Sequence, residues 1–446
     1  MELKDKYIFD KKAYDMKEYH GRVVFLSNKY RKWFRVGNTA KDILMLMDGE
    51  KSLGDIIQDI SQEYEIPYSQ VKEDIFNFCD AALQNGYILD ENNSIEDEMA
   101  DDFLSNIYIN VTSECNFSCN YCNCKQNQQR EIDFEALKNY IEELIKVGRI
   151  RNTTVNITGG EPLLCKELKE ILYFFKQKSL PIVLWTNGTY IDTTNIQWIK
   201  DTCTYVIFPI DSDKREINDA IRSEGAYEAT LRAVELCNEY KVEFMCAFTP
   251  TETTFRDMEQ LALFVEKIGA VSLIVNEPIG EDFYGEKIGH FGFTEKEFTD
   301  VYMDTADKAV LIKSWQNYKS DRRAFTVQRT REVCLNNIYY ILHKNGCGMY
   351  KNELLIDCDG KIYPCHMLYK AEFACGDIYG GCVEVLPDIV RNENQYDSCN
   401  ECQMKFICLG NCKAYRYYVK KQLEPVKSEC DEYRKKTTEY MFGIYE

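Results

Sequence analysis

The stretch from Thr112 to Lys125, TSECNFSCNYCNCK, constrains the chain more than any other. Within it Cys115, Cys119 and Cys122 stand as C-x3-C-x2-C. Three thiolates on one short loop leave a tetrahedral zinc ion one ligand short, unless Cys124 supplies it. Soft thiolates also select iron–sulfur clusters, and three of them can hold three irons of a four-iron cube. The fourth iron would then stay open to another ligand. A zinc knuckle and a group of buried free cysteines are the competing readings of these residues.

The surroundings of the loop narrow the choice. Ile107 to Val111 is a short β-rich stretch that ends just before the cysteines. An amphipathic helix follows to Val147, with Phe134, Leu137, Ile141 and Leu144 on one face and Asp133 as its N-cap. The loop therefore joins a strand end to a helix, where α/β proteins usually place their chemistry. With Tyr121 just before Cys122, it resembles the cluster loop of the radical S-adenosylmethionine (SAM) enzymes. That resemblance implies that the amino and carboxylate groups of SAM chelate the open iron. It also implies that the reduced cluster splits SAM into methionine and a 5'-deoxyadenosyl radical.

Further segments carry the same resemblance. Val155 to Thr158 reads as a strand followed by Gly159-Gly160-Glu161-Pro162, and paired glycines let a backbone approach a neighbour closely. The four residues resemble the GGEP motif that binds the SAM amino group, with Glu161 as the matching negative charge. Ile182 to Thr189 reads as a strand ending in a Thr-Asn-Gly turn, which offers Asn187 as a polar contact near SAM. Tyr205 to Asp211 is a fourth strand, with Pro209 where the family often has serine; Asp211 remains a candidate contact. Arg222 lies in a segment resembling the one that supplies an arginine to the SAM carboxylate, a group its fork suits. Phe244–Phe248 and Val271–Val275 complete six strands alternating with helices. The expected fold is α/β, the partial (β/α)6 TIM barrel of radical SAM type over residues 93–315, with its reactive centre at the carboxyl ends of the strands.

Residues 1–92 read as a separate unit. Val23–Leu26 and Trp33–Val36 are short strands; helices follow from a Thr39 cap, from Ser52 to Tyr64 and from Val71 to Asn85; Tyr87–Leu89 is a last strand. The arrangement is winged-helix-like. Glu73, Asp74 and Asp80 against Lys72 suit a DNA major groove poorly. The segment resembles instead the PqqD-like domains that recognise the leader of ribosomally made precursor peptides. Those domains add the leader as a strand to a sheet edge, here Val23–Leu26 or its neighbour. The acidic run Asp90–Asp102 reads as a solvated linker.

Eleven of the chain's 20 cysteines fall between Cys334 and Cys430. Cys347, then Gly360 to Cys365, then Cys399, Cys402, Cys408, Cys412 and Cys430 closely resemble the SPASM domain of peptide-modifying radical SAM enzymes, here residues 316–446. The resemblance implies two auxiliary [4Fe-4S] clusters, which makes three [4Fe-4S] clusters with the first. Cys399, Cys402, Cys408 and Cys430 would hold the outer one. Cys347, Cys365 and Cys412 would hold the inner one. Its fourth ligand is assigned to Cys334, with Cys358, Cys375, Cys382 or an open iron as rivals. Zinc ribbons are the alternative for the Cys-x2-Cys pair. Cys203, Cys237 and Cys246 read as small buried hydrophobes.

A formal charge of −19 disfavours a nucleic-acid partner. No apolar run reaches membrane-spanning length and the N-terminus lacks a signal-peptide core, so a cytoplasmic monomer is expected. Its partners would be a precursor peptide, held by its leader, and a flavodoxin- or ferredoxin-like electron donor. The expected reaction is thioether formation of the sactipeptide or ranthipeptide type. The radical removes hydrogen from a carbon of the core peptide, a cysteine thiolate bonds to that carbon, and the remaining electron leaves through the auxiliary clusters. Carbon–carbon crosslinking, epimerisation and sulfatase maturation are the alternative activities, and a three-cluster electron carrier is the non-enzymatic one.

Overall fold

The computed structural model describes residues 2–19, 21–27, 32–84, 87–89, 104–122, 129–276, 301, 326–329, 353–380, 414, 417–418 and 430–431. The N-terminal unit contains β1 (Lys6–Ile8), β2 (Asp15–Tyr19), β3 (Arg22–Ser27), β4 (Lys32–Gly37), α1 (Asn38–Leu46), β5 (Asp48–Ser52), α2 (Leu53–Glu63) and α3 (Tyr68–Gln84). Strands β2, β3 and β4 form an antiparallel sheet, and β1 pairs with β5. Leu53, Ile56, Ile57 and Ile60 of α2 and Val71 and Ile75 of α3 bury the helical apolar stripes in one core that also holds Phe9, Phe25 and Phe34. Ser52 caps α2 in a reciprocal box with Asp55. Thr39 does not cap α1: Gly37 is the N-cap and Thr39 sits inside the first turn. Among the described residues, Tyr87–Leu89 forms only a bridge from Leu89 to Ile8. Strand Val23–Leu26 is the centre of its sheet, bonded on both sides, so among the described residues the free edges belong to its neighbours β2 and β4.

The second unit is built on a mostly parallel sheet. Its strands are β6 (Leu104–Asn110), β7 (Ile150–Thr158), β8 (Ile182–Trp185), β9 (Tyr205–Pro209), β10 (Phe244–Phe248), β11 (Ser272–Val275) and β12 (Thr326–Arg329). Helices α4 (Phe134–Lys146), α5 (Leu168–Gln177), α6 (Ile196–Thr202), α7 (Arg215–Ile221), α8 (Ala226–Tyr240) and α9 (Met258–Lys267) fall between these strands. Asp133 caps α4 through its side chain, as its position before the apolar stripe implies. All six expected strands are present. The sheet also carries β12 parallel to β11 and, on its other side, β13 (Glu353–Ile356) parallel to β6. A six-stranded sheet is therefore too small. Strand β13 turns into β14 (Lys361–Tyr363) and β15 (Gly376–Asp377), so the start of the cysteine-rich segment is hydrogen-bonded into the barrel sheet. Strand parity separates two faces. Ile107, Ile157, Leu184, Val206 and Phe248 pack under the helices with buried Cys237 and Cys246, and half-buried Cys203 packs against them. Val183, Ile207 and Ala247 line the inner face. Among the described residues no helix is long and apolar enough to cross a membrane.

Candidate active site at the strand ends

The cysteine loop leaves β6 and is fastened on three sides. Toward β7, Val111 N–H donates to Thr158 O at 2.9 Å, Gly160 N–H to Thr112 O at 2.8 Å, and Glu161 N–H to Glu114 O at 2.7 Å. A Cβ on Gly159 would lie 2.4 Å from Thr112 O, and one on Gly160 would lie 2.2 Å from Glu114 O. Gly159 also has φ +135°. The paired glycines are thus required by the approach of the cysteine loop itself. Toward α7, Asn120 N–H donates to Ile221 O and Ser118 N–H to Ser223 Oγ. Toward β8, Asn187 Nδ2 donates to Asn116 Oδ1 at 2.8 Å, and Asn116 Nδ2 donates to Thr189 Oγ1.

Glu161 and Pro162 are buried, and Glu161 is fully enclosed. The Glu161 carboxylate accepts from Thr186 Oγ1 (2.7 Å), Leu163 N–H (3.0 Å) and Asn187 N–H (2.8 Å). Burial pushes its pKa up, and these three bonds oppose that shift. The carboxylate therefore ties the ends of β7 and β8 together. Pro162 opens a single 3-10 turn, where its missing N–H costs nothing.

Tyr121, Asp211 and Arg222 meet although Tyr121 lies about a hundred residues from the other two. The Tyr121 hydroxyl donates to Asp211 Oδ2 at 2.5 Å and accepts from Arg222 Nη1 at 2.5 Å. Arg222 Nη1 also bonds Asp211 Oδ2 at 3.0 Å. Burial opposes the Arg222 charge, but the Tyr121, Asp211 and Cys119 side chains outweigh it and keep the guanidinium firmly cationic. Thr249 N–H and Asn218 Oδ1 fix Asp211 in turn, through its Oδ1 and its main-chain N–H. Asn218, Thr186 and Asn116 are members of this site that sequence reasoning missed. Their side chains bond across segments distant in sequence, and no local pattern marks them.

Cys115 is exposed, and Cys119 and Cys122 are half-buried. Although Cys115 is exposed in surface area, protein atoms packed around its sulfur partly desolvate it and push the thiol up to about 11; desolvation also raises Cys119 against the pull of Arg222. The charges of the three sulfurs influence one another. Yet among the described residues they do not form a set within 4.8 Å of one another, as a single ion needs. An all-sulfur triad of this kind suits the three irons of a cube. Cys124 lies outside the described residues.

Of the expected auxiliary ligands, Cys365 and Cys430 are described and both are half-buried. Cys334, Cys347, Cys399, Cys402, Cys408 and Cys412 lie outside the described residues, as does Cys382. Cys375 is buried in the main core and its thiol donates to Ile362 O. Cys358 is buried beside Ser113, with its thiol pushed up to about 12 by burial. Beside Cys365, Glu353 accepts from the His366 main-chain N–H at 3.0 Å and meets His366 Nδ1 at 2.5 Å. The His366 ring stacks on Tyr108, with centroids 4.4 Å apart. Burial pushes the Glu353 pKa up, but bonds from His366 and Cys365 and the nearby imidazole outweigh it and hold the group low.

Residues 109–265 match the model of the radical SAM superfamily, and residues 22–88 match that of coenzyme PQQ synthesis protein D (PqqD). The mycofactocin maturase MftC of Mycolicibacterium smegmatis is 25% identical, over 72% of this chain and 81% of its own. The AdoMet-dependent heme synthase of Oleidesulfovibrio alaskensis is 23% identical, over 68% of this chain and 81% of its own. Streptococcus suis SuiB bound to SAM has a similar fold, with a TM-score of 0.57 and 12% identity over 95% of this chain and 99% of that one. So does anSMEcpe with bound AdoMet, with a TM-score of 0.57 and 20% identity over 76% of this chain and 97% of that one. The family implies SAM and a [4Fe-4S] cluster as cofactors, and the thiol triad at the strand ends suits both. The chain thus carries a radical SAM domain at residues 109–265, preceded by a PqqD-like domain at residues 22–88.

Proposed function

We propose that the protein is a radical SAM maturase of a ribosomally made precursor peptide, and that it joins a peptide cysteine to a carbon of another residue through a thioether. The observation that carries the enzymatic reading is the fastening of the cysteine loop onto Gly159-Gly160 and the Tyr121–Asp211–Arg222 triad. Cys115, Cys119 and Cys122 would hold the first cluster. When bound, the cluster and SAM supply a radical able to take hydrogen from an unactivated carbon. The residues around them do the positioning. Arg222 Nη1 is committed to Asp211 and Tyr121, so a SAM carboxylate would be met by its Nη2 and Nε. Glu161 holds the β7 and β8 ends, and with them Asn187, in register.

The peptide reading is supported by the PqqD-like unit and by the fold shared with SuiB, which has been crystallised with its precursor peptide SuiA. The similarity to a mycofactocin maturase points the same way. The leader would add to the free edge of β2 or β4. Cys399, Cys402, Cys408 and Cys430 would hold an outer auxiliary cluster. Cys347, Cys365, Cys412 and Cys334 would hold an inner one, making three cubes fed by a flavodoxin- or ferredoxin-like donor. Burial of Cys375 in the main core, its thiol bonded to Ile362 O, speaks against that residue as the fourth inner ligand.

The product tests the proposal. Co-expression with each short reading frame flanking the gene, followed by mass spectrometry, should give a peptide lighter by two hydrogens with one cysteine that resists iodoacetamide. Loss of two hydrogens with every cysteine still alkylated would mean a carbon–carbon bond. An unchanged mass with deuterium taken from solvent would mean epimerisation.

A further inference from the structure

Side chains at even positions of β6 and β7 face the same side as odd positions of β8, β9 and β10. That side is the barrel interior, and it is lined by Val183, Ile207 and Ala247 with Trp185 and Met245 beside them. Asn156 of β7 enters this apolar wall level with Tyr108 and Val183. It is 5% exposed. Its Oδ1 accepts from Trp185 Nε1 at 3.2 Å. An indole N–H can only donate, so the bonded atom is the oxygen and the orientation of the amide is fixed. Its Nδ2 is buried and has no acceptor among the described residues. Neighbouring Asn110 contrasts with it: the Asn110 Nδ2 donates to Asp357 Oδ1 at 2.9 Å.

A buried amide nitrogen without an acceptor is costly, and natural interiors rarely retain one without a use. We propose that Asn156 Nδ2 is a substrate-positioning donor that binds a neutral carbonyl oxygen of the peptide inside the barrel. The proposal rests on the peptide-modifying reading above. The acceptor is assigned to the peptide by depth. The candidate SAM contacts Gly159, Gly160, Asn187, Asp211 and Arg222 all lie beyond the strand ends. Asn156 lies two residues before the end of β7, about 7 Å deeper along the strand. Its apolar surroundings disfavour a charged acceptor and suit an amide carbonyl.

The test compares Asn156→Asp, which keeps the acceptor for Trp185 and removes both donors, with Asn156→Leu, which removes the polar group at similar volume. Each iron-loaded full-length variant is assayed with synthetic peptides encoded by the short reading frames flanking the gene, and SAM affinity is measured by titration. The expected result is a KM for peptide at least tenfold higher in both variants, with the SAM Kd within twofold of wild type. A weakened SAM Kd with unchanged peptide KM would place the acceptor on SAM and overturn the proposal. If neither quantity changes, the amide meets only trapped water, and the proposal falls while the peptide-modifying reading stands. If wild type cleaves SAM but alters no peptide, the peptide-modifying reading falls and this inference falls with it.

Discussion

Replacing Gly160 with alanine should unfasten the cysteine loop without unfolding the barrel. The added Cβ would lie 2.2 Å from Glu114 O and 2.6 Å from Glu114 C, both main-chain atoms that no rotamer change can move aside. Real Cβ atoms approach no closer than 3.0 Å, so the loop must retreat by about 0.8 Å. That retreat strains the bonds from Gly160 N–H to Thr112 O and from Glu161 N–H to Glu114 O. Two bonds at about 1 kcal/mol each, with the carbonyls left poorly paired, put the local cost at roughly 2–4 kcal/mol. The cost falls on the loop, because the core packed by Ile107, Ile157 and Leu184 is untouched. Anaerobic reconstitution with iron and sulfide analysis should show about four irons fewer than wild type. SAM should no longer alter the electron paramagnetic resonance spectrum of the reduced protein. Gly37→Ala is the control, since nothing lies within 4 Å of its added Cβ. A Gly160→Ala protein with full iron content and an undiminished response to SAM would refute the reasoning.

Asp211→Ala leaves the buried Arg222 guanidinium without its carboxylate, and should cost about 3–5 kcal/mol in a denaturant titration; an unchanged midpoint would show that the triad contributes little. In the N-terminal unit, the Ser52 side-chain and main-chain bonds hold the Asp55 pKa below its ordinary 3.8. Its contribution is therefore complete above the unfolded value and lost as pH falls through the folded one, so acid should loosen α2, read by hydrogen exchange. Asp55→Asn should remove that dependence, and identical acid profiles for the two proteins would count against it. Deleting residues 1–90 should abolish binding of a leader peptide in calorimetric titration while peptide-free SAM cleavage persists; equal leader affinity in both proteins would end the assignment of the leader to this unit.

What the sequence made legible was local. The spacing of Cys115, Cys119 and Cys122, the Asp133 cap, the apolar stripes and six of the strands all depend on neighbours a few residues away. The strands that escaped notice depend on distant pairing. Thr326–Arg329 and Glu353–Ile356 are four-residue runs whose identity comes from bonding to β11 and β6, and nothing in their own composition fixes that. Glu161 shows the same limit within the site. Its place after two glycines marked it for function, but only the fold shows three protein donors already on its carboxylate. The triad was legible as three separate candidates, and the hydroxyl that links Asp211 to Arg222 became visible only when the cysteine loop was placed against α7.

The central claim is that Cys115, Cys119 and Cys122 support reductive cleavage of SAM. The measurement is 5'-deoxyadenosine released by the anaerobically reconstituted, dithionite-reduced full chain, beside a variant with all three cysteines changed to alanine. The account predicts 5'-deoxyadenosine and methionine from the wild-type protein and none from the variant. Intact SAM after incubation with fully iron-loaded, reduced wild type, or equal cleavage by the variant, would contradict it.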